Sequence, residues 1–313
     1  MMKKISIAPM VDRTTNHFRD FIRLINKDVT LYTEMITDKA IINGDEKKLL
    51  EFNEKQQPLV LQIATSSEKD ISLAMKKINK YDYSEIDVNA GCPSNRVSDN
   101  KMGAYLMSDI EFLCKIVREI KNNTDKPVTV KHRIGIDGTG ILKNDKKIVS
   151  YEELLYFIDK LNEQGVNKFI IHSRIAILKG LTPDENRKIP KLDYGMVYKV
   201  KKDRPHLNIE INGGIKTMEE VHEHLKYVDS VMIGRAAYDN PMLLNVKQIS
   251  YEQILEGIIR DISNLKGKPY HYLMHTLGLF YGTKYSKLWK NCVARTDVCE
   301  KNVQNFLKTY FKN

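Results

Sequence analysis

The residues of this sequence that can do chemistry stand at the ends of short apolar runs. Cys92 follows one such run in a Gly-Cys-Pro turn, where a thiol can donate a proton or attack an electrophile. Lys131 ends another run, and its charge needs an anion, an electron-rich ring or a salt bridge at the rim. Gln62 and Asn89 offer amide groups that can read the edge of a flat heterocycle. His172 can donate to a carbonyl or a phosphate, although a lone histidine on a strand is often a satisfied core residue.

Glycines at the ends of the last two runs indicate a phosphate site. Gly213, Gly214 and Gly234 allow backbone amides to approach an anion closely, and Arg235 adds a positive charge. A helix is predicted to begin after Thr217, and its N-terminal dipole would point toward the same region. In parallel barrels a phosphate often binds after the seventh and eighth strands, which is where these glycines lie.

Eight apolar runs alternate with amphipathic stretches and predict an α/β fold. Continuous rather than alternating apolarity is typical of a parallel sheet that is covered on both faces. Eight strands within about 240 residues predict a (β/α)₈ TIM barrel, with a doubly wound open sheet as the alternative. The strands are predicted at 6–10, 31–36, 59–64, 86–89, 128–132, 169–172, 209–212 and 231–234.

Capping boxes predict where several helices begin, and the last of them opens a different kind of domain. Residues 1–245 are predicted to form the barrel, and residues 246–313 an all-helical domain that has no strand-like run. This second segment holds eleven Lys or Arg and five Asp or Glu, so it carries most of the net charge of +10 and is suited to docking a polyanion. The capping boxes are Ser108 with Glu111, Ser150 with Glu153, Thr217 with Glu220, and Ser250 with Gln253.

Composition places the chain among soluble, intracellular proteins. Its four cysteines show neither zinc-ligand spacing nor a dense disulfide pattern, so we expect a reducing compartment and no metal. The apolar stretch near the N-terminus is too short for a signal peptide, and no run is long enough to span a bilayer. We therefore expect a cytoplasmic protein, active as a monomer, with no membrane partner.

A series of short motifs in chain order identifies a family. They are APM at 8–10, LYTEM at 31–35, LQ at 61–62, NAGCPS at 89–94, MGA at 102–104, VKHRIG at 130–135, IHSR at 171–174, GLTPDENR at 180–187, INGGI at 211–215 and GRA at 234–236. With these motifs the chain resembles the tRNA-dihydrouridine synthases, and more narrowly their bacterial A-type branch. The resemblance runs from about residue 5 to residue 245 and, more loosely, through the C-terminal segment.

The resemblance implies an FMN cofactor that NADPH reduces. Proteins of this family pass a hydride from the flavin N5 to C6 of a uracil base in tRNA. Cys92 would deliver the proton to C5 as the general acid. By the same likeness the flavin ring and ribityl chain would be surrounded by Pro9, Met10, Val11, Gln62, Lys131 and His172. The phosphate end would be held by Asn212, Gly213, Gly214, Gly234 and Arg235.

The resemblance also implies where tRNA binds. Asn89 would fix the uracil edge of a nucleotide that has left its stack. Asp184 and Arg187 align with the family segment that contacts tRNA near the target base, and Lys287 and Lys290 align with a basic pair in the helical domain. Likeness to the A-type branch suggests uridines 20 and 20a of the D-loop as the targets.

Two features depart from the family pattern. Asp184 puts an acidic residue where a polyanion is expected to bind. The stretch 137–149 is longer and more basic than expected, and Lys143, Lys146 and Lys147 could reach tRNA, but we expect it to form a solvated, flexible loop.

Two other functions are compatible with parts of the sequence. An FMN barrel that reduces a free small heterocycle or an enone would keep Cys92 and the flavin site but has no use for the basic helical domain. A tRNA-binding chaperone with a vestigial barrel would bind tRNA without flavin.

Overall fold

The computed structural model describes residues 4–94 and 100–312, and its centre is a closed barrel of eight parallel strands. The barrel strands are β1 (Ile5–Ile7), β2 (Leu31–Thr37), β3 (Leu59–Ala64), β4 (Glu85–Ala90), β5 (Val128–Arg133), β8 (Lys168–His172), β10 (Asn208–Asn212) and β11 (Ser230–Ile233). Each pairs with the next in this order, and β1 pairs with β11. A parallel bridge between Ser6 and Thr30 joins β1 to β2 and closes the ring. The predicted (β/α)₈ barrel is confirmed.

The first strand is shorter than predicted. It ends at Ile7, and the backbone leaves the barrel through residues 8–10 instead of continuing to Met10. Proline has no amide hydrogen for the ladder, so Pro9 cannot extend the pairing that Ala8 still makes with Ile233 at 2.8 Å. Each of the other seven predicted strands coincides with an observed strand, and their ends agree to within one residue.

Helices cover the outside of the barrel, and their starts were mostly predictable. They are α1 (Asn16–Ile25), α2 (Asp38–Asn43), α3 (Glu46–Leu50), α4 (Glu68–Ile78), α5 (Ile110–Asn122), α6 (Tyr151–Glu163), α7 (Tyr194–Asp203), α8 (Met218–His224), α9 (Arg235–Asp239), α10 (Tyr251–Ser263), α11 (Pro269–Leu273), α12 (Ser286–Val293) and α13 (Glu300–Phe311). The capping boxes at Ser150, Thr217 and Ser250 are present. The one predicted at Ser108 is wrong. Asp109, a better acceptor one position later, caps α5 by accepting the Phe112 amide at 3.1 Å. Across residues 4–94 and 100–312, no helix combines the length and apolarity that crossing a bilayer requires.

The barrel has two cores of different character. A large apolar core lies between the strands and the surrounding helices, as burial on both faces of a parallel sheet requires. Inside the barrel, a small separate apolar cluster is formed by Ala8, Tyr32, Val60, Ile170 and Met232. Charged side chains are buried there as well, including Asp87 and Glu210. A cavity of about 420 Å³ opens at the N-terminal end of the strands, lined by Lys168 and Glu210 among others.

The helices after residue 245 pack on the barrel through α1 and share an aromatic core. Phe280 stacks on Tyr251 at 4.6 Å between ring centroids and meets Trp289 edge-on at 5.6 Å. His275 bridges the two parts of the chain, since its ring nitrogens contact the Thr15 hydroxyl at 2.9 Å and the Tyr238 hydroxyl at 3.0 Å. The C-terminal helices are therefore anchored to the barrel by a buried polar contact as well as by apolar packing.

The stretch 137–149 is exposed along most of its length, as expected, but it contains short strands that were not predicted. It forms a hairpin of β6 (Ile136–Asp137) and β7 (Lys147–Ile148), and β6 also pairs with β9 (Ala176–Ile177) in a three-stranded sheet. Lys147 forms an ion pair with Asp137 at 2.8 Å. The sequence prediction missed this sheet because its strands have only two residues each, which is too short to show a periodic pattern.

Candidate active site

Asn89 and Gln62 form a hydrogen-bonded pair at the C-terminal end of the barrel. Asn89 Nδ2 donates to Gln62 Oε1 at 2.9 Å, and Gln62 Nε2 donates to Asp87 Oδ2 at 2.7 Å. The other Asp87 oxygen accepts from the Thr129 hydroxyl at 2.9 Å. Asn89 Oδ1 also accepts the backbone amide of Cys92 at 2.9 Å. The two amide side chains are thus held by the protein, and Asn89 fixes the turn that carries the thiol.

Lys131 lies beside this pair and contacts β10, two strands along the barrel from β5. The strand register places it opposite Asn89. Its Nζ donates to Asn212 Oδ1 at 3.0 Å, and Asn212 Nδ2 donates to the carbonyl of Met232 at 2.8 Å. Burial lowers the pKa of Lys131, and the carboxylate of Asp87 opposes that change. The structure therefore brings together a cation from β5 and an amide from β10 at one end of the barrel interior.

Cys92 is half-buried in the turn after β4. It packs against Ala64 and Met102. Burial raises the pKa of the Cys92 thiol, while the backbone amide of Ser94 and the charges of Arg133, Arg187 and Lys131 oppose the rise. The thiol therefore keeps its proton at neutral pH, which is the form that a proton donor needs.

Gly213 lies against the ring of His172 in a backbone conformation that favours glycine. Its φ is 115°, and Gly214 follows with a φ of 76°. A Cβ at Gly213 would come within 3.2 Å of His172 Cε1. The Gly213 carbonyl accepts from the Tyr194 hydroxyl at 2.8 Å. His172 Nδ1 is buried, and no atom of residues 4–94 or 100–312 bonds to it, while burial holds the pKa of this ring well below its usual value. A neutral imidazole with an unused nitrogen thus adjoins the glycine turn.

The start of α9 offers free helix amides at this edge of the barrel. At the start of α8, Thr217 and Glu220 form a capping box that uses their two amides, and Glu220 also accepts the Lys216 amide at 2.5 Å. At the start of α9, Gly234 offers no side-chain cap. The amides that follow Gly234 therefore add backbone donors to those that the sequence prediction places at the start of α8.

Arg235 and Asp184 form an ion pair that explains the acidic residue at 184. Arg235 NH1 lies 3.1 Å from Asp184 Oδ1. Arg187 NH2 lies 3.6 Å from the same oxygen, and Lys188 contacts the other one. The hydrogen bond from Lys188 and the charges of the two arginines lower the pKa of Asp184. Asp184 is therefore surrounded by cations, so the local charge at this edge is positive despite the carboxylate.

The turn after β1 contributes Pro9, Met10 and Val11 to the same end of the barrel. The Met10 amide donates to the Thr14 hydroxyl at 3.0 Å, and Thr14 is itself buried. Val11 is 56% exposed, although the neighbouring Met10 amide is held by the bond to Thr14. The turn thus presents apolar surface where the strands end.

The predicted tRNA contacts fall into two groups. Asp184 and Arg187 adjoin the barrel end, and the charge of Arg187 acts on the Cys92 thiol. Lys287 and Lys290 are exposed on α12 in the C-terminal helices. Trp289 between them is fully buried and donates to the carbonyl of Thr276 at 2.9 Å, so it is a core residue.

Comparison with known proteins decides the family. The family model of dihydrouridine synthase (Dus) matches residues 6–313, almost the entire chain. This chain belongs to the dihydrouridine synthase family. The resemblance seen in the sequence motifs is therefore confirmed, and the chain is an enzyme of the dihydrouridine synthase type.

Related dihydrouridine synthases cover the chain nearly end to end. A tRNA-dihydrouridine(20/20a) synthase of Shewanella oneidensis is 41% identical over 305 residues, which is 93% of this chain and 88% of the relative. One of Synechocystis is 39% identical over 303 residues, with the same two shares of 93% and 88%. One of Pasteurella multocida is 40% identical over 304 residues, covering 93% of this chain and 90% of the relative.

Solved structures with the same fold are distant in sequence. Morphinone reductase in complex with tetrahydroNAD superposes with a TM-score of 0.52 at 11% identity, covering 80% of this chain and 90% of that protein. An old yellow enzyme homologue from Zymomonas mobilis superposes with a TM-score of 0.54 at 10% identity, covering 77% and 86%. At such low identity these similarities show that the dihydrouridine synthase chain shares their barrel fold.

Two residues of this dihydrouridine synthase site were given no role from the sequence. Asp87 is fully buried and accepts a hydrogen bond from Gln62. The charge of Lys131 lowers the pKa of its carboxyl group, against the effect of burial. Arg133 is 4% exposed and bonds to backbone carbonyls beside the site. The available signal was the alternation of side chains along strands: Asp87 is two residues before Asn89, and Arg133 two after Lys131, so each shares its neighbour's inward face.

Proposed function

We propose that this protein reduces uridine of tRNA to 5,6-dihydrouridine, with FMN as the cofactor, NADPH as the reductant and uridines 20 and 20a of the D-loop as targets. Family membership and the names of its relatives support the reaction and the positions. The observation that carries the proposal is the half-buried Cys92 thiol, whose turn is held by Asn89, at the end of the barrel where Lys131 contacts Asn212.

The residues at this end fit a flavin mononucleotide. His172 Nδ1 is a buried polar atom that lacks a partner among the described residues, as expected beside a bound ligand. A side chain at Gly213 would fill the space next to that ring. The uncapped start of α9 and the guanidinium of Arg235 suit the phosphate end. We assign Pro9, Met10, Val11, Gln62, Lys131 and His172 to the ring and ribityl chain, and Asn212, Gly213, Gly214, Gly234 and Arg235 to the phosphate end.

The protein's own contribution to the chemistry is a positioned proton donor. When bound, FMN would supply the hydride for C6 of the uracil. Cys92 would give its Sγ proton to C5, and its raised pKa keeps that proton available at neutral pH. Asn89 holds the Cys92 amide, which fixes where the thiol points. Lys131 would stabilise negative charge that develops on the base, since its ammonium already sits at the end of the barrel interior.

The tRNA would dock across two regions. Asp184 and Arg187 adjoin the site and would contact the segment around the flipped nucleotide. Lys287 and Lys290 are exposed on α12 and would bind phosphates, which supplies affinity but little sequence information. We therefore assign residues 1–245 to catalysis and residues 246–313 to tRNA binding, in a monomer that acts in the cytoplasm, where the four free cysteines would stay reduced.

Removing the thiol tests the proposed chemistry. We expect Cys92→Ala to keep FMN and tRNA binding and to lower dihydrouridine formation by about 100-fold or more, because the proton donor is gone. Cys292→Ala is the matched control, since Cys292 is also a half-buried thiol whose pKa is raised by burial, but it lies in α12. Dihydrouridine is counted in the tRNA by mass spectrometry. Full activity of Cys92→Ala would refute the role of the thiol.

A second candidate function is the reduction of a free small heterocycle. Replacing the exposed lysines of α12 distinguishes it from the reduction of tRNA. We expect Lys287→Glu with Lys290→Glu to weaken tRNA binding strongly while the rate of flavin reduction by NADPH stays the same. The same charge change at Lys301 and Lys308, exposed on α13, is the control. If the first pair leaves tRNA binding unchanged and free uridine derivatives are good substrates, the small-molecule reductase is the better description.

A further inference from the structure

Arg133 is a buried cation that bonds to the backbone of two different loops. Its side chain follows Lys131 on the inward face of β5 and is 4% exposed. Its Nε donates to the carbonyl of Gly91 at 3.0 Å. Its NH1 donates to the carbonyl of Ile175 at 2.8 Å and to that of Asn186 at 3.1 Å. Burial lowers its pKa to about 10, so the guanidinium stays charged at neutral pH.

The two loops carry the groups that must meet on the substrate. Gly91 immediately precedes Cys92, so the first bond holds the turn of the proton donor. Asn186 lies between Asp184 and Arg187, so the third bond holds the segment proposed to contact tRNA.

Asn186 anchors that segment to the small three-stranded sheet. It is fully buried, and its side chain accepts the Ile177 amide at 2.8 Å and donates to the Ile177 carbonyl at 3.0 Å. The segment is therefore tied to β9, and β9 is tied to β6 in the small sheet. A displacement of the guanidinium would therefore shift the segment 184–187 together with β9, and not Asn186 alone.

We infer that Arg133 is a positioning residue for the reaction: it holds the turn of Cys92 and the segment 184–187 in one fixed relation, so that the thiol and the tRNA contacts act on the same base. This inference rests on the proposed function. A guanidinium carries its donors on separate nitrogens at a fixed spacing, so Nε can reach the turn of Cys92 while NH1 reaches the segment 175–186. An ammonium at the same place would keep the charge but lose the spacing.

The substitution Arg133→Lys tests this role, and the chain provides a matched control. Arg23 is also 4% exposed, its pKa is also lowered by burial to about 10, and it also donates to backbone carbonyls, including those of Val29 at 2.8 Å and Gln56 at 2.8 Å. It lies at the opposite end of the barrel, where β2 and β3 begin. Arg23→Lys therefore makes the same chemical change without touching either loop.

The main measurement uses the full-length protein with FMN bound and reduced by NADPH. We expect Arg133→Lys to slow dihydrouridine formation in a single turnover by about 100-fold, the effect of a misplacement near 1 Å, while flavin reduction proceeds at the wild-type rate. We expect Arg23→Lys to change neither rate. Wild-type turnover by Arg133→Lys, or an equal loss in both variants, overturns the inference, since the first shows that the fork is unnecessary and the second that any buried arginine matters as much.

Hydrogen exchange provides a measurement that does not depend on the proposed reaction. We expect Arg133→Lys to raise exchange at the amides of 91–94 and 175–187 together, and Arg23→Lys to leave both segments as in the wild type. Unchanged exchange in either segment, or the same increase in both variants, overturns the inference. If the wild-type protein forms no dihydrouridine in tRNA, the proposed function fails, and this exchange experiment alone decides whether Arg133 links the two loops.

Discussion

Gly213→Ala should weaken FMN binding more than the same change at another glycine with similar backbone geometry. An alanine at Gly213 is strained by its φ of 115°, and its Cβ would also lie 3.2 Å from His172 Cε1 and 3.3 Å from Leu192 Cδ2. Backbone strain of this kind costs about 1–3 kcal/mol. The two contacts require a shift of the ring or of the glycine turn, and overpacking of this kind costs about 1–3 kcal/mol more. If about 1.4 kcal/mol of this falls on the bound state, FMN affinity drops about tenfold.

Gly180→Ala separates the two contributions. Gly180 has a φ of 93°, but a Cβ there would meet nothing within 4 Å, so this variant bears only the strain. We expect both variants to lose stability in urea, Gly213→Ala more than Gly180→Ala, and only Gly213→Ala to lose FMN affinity, measured by quenching of flavin fluorescence. Equal FMN affinities for the two variants would refute the assignment of the glycine turn to the cofactor, because the shifted ring and turn would then lie away from the flavin.

Three further predictions concern charge. Because burial raises the pKa of Cys92, its alkylation by iodoacetamide should need a higher pH than that of a free cysteine; a rate that levels off below pH 8.5, the ordinary thiol value, would contradict this. Asp184→Asn should free Arg235 and tighten FMN binding in low salt without changing the melting temperature; unchanged affinity would show that the ion pair does not compete with the phosphate. Burial lowers the pKa of His275 to about 4 from 6.5, so its contribution to stability is complete above pH 6.5 and is lost as the pH falls to 4. His275→Gln should therefore show a smaller loss of stability across that interval than the wild type, measured by urea unfolding.

The sequence predicted the barrel well because its signals are local. Continuous apolar runs mark buried parallel strands, and an acceptor followed three residues later by a carboxylate or amide marks a helix start. Both rules fail where a nearby residue competes. At Ser108 the next residue, Asp109, is the stronger cap, and at the first strand Pro9 interrupts the ladder before Met10.

The site was predictable residue by residue but not as a set of bonds. Strand ends and motifs indicated Cys92 and Lys131, since position along a strand is visible in the sequence. The bonds of Arg133 to carbonyls of residues 91, 175 and 186 are not, because a backbone acceptor has no residue type to recognise. Asp184 looked out of place beside a polyanion because Arg235, one of the cations that compensate it, is 51 residues away in the chain.

Asp87 and Lys131 are buried in the barrel interior, and their roles in the site explain why charged residues are placed there. Burial raises the pKa of Asp87 and lowers that of Lys131, and each charge offsets part of the cost of the other. Such a pair is weak support for stability, since apolar residues of similar volume often serve a fold equally well or better. Asp87 also bonds to Gln62, and Gln62 to Asn89, which holds the Cys92 turn. Asp87 thus compensates the charge of Lys131 and also orients the Gln62 amide, which contacts Asn89. An apolar residue in place of Asp87 could do neither.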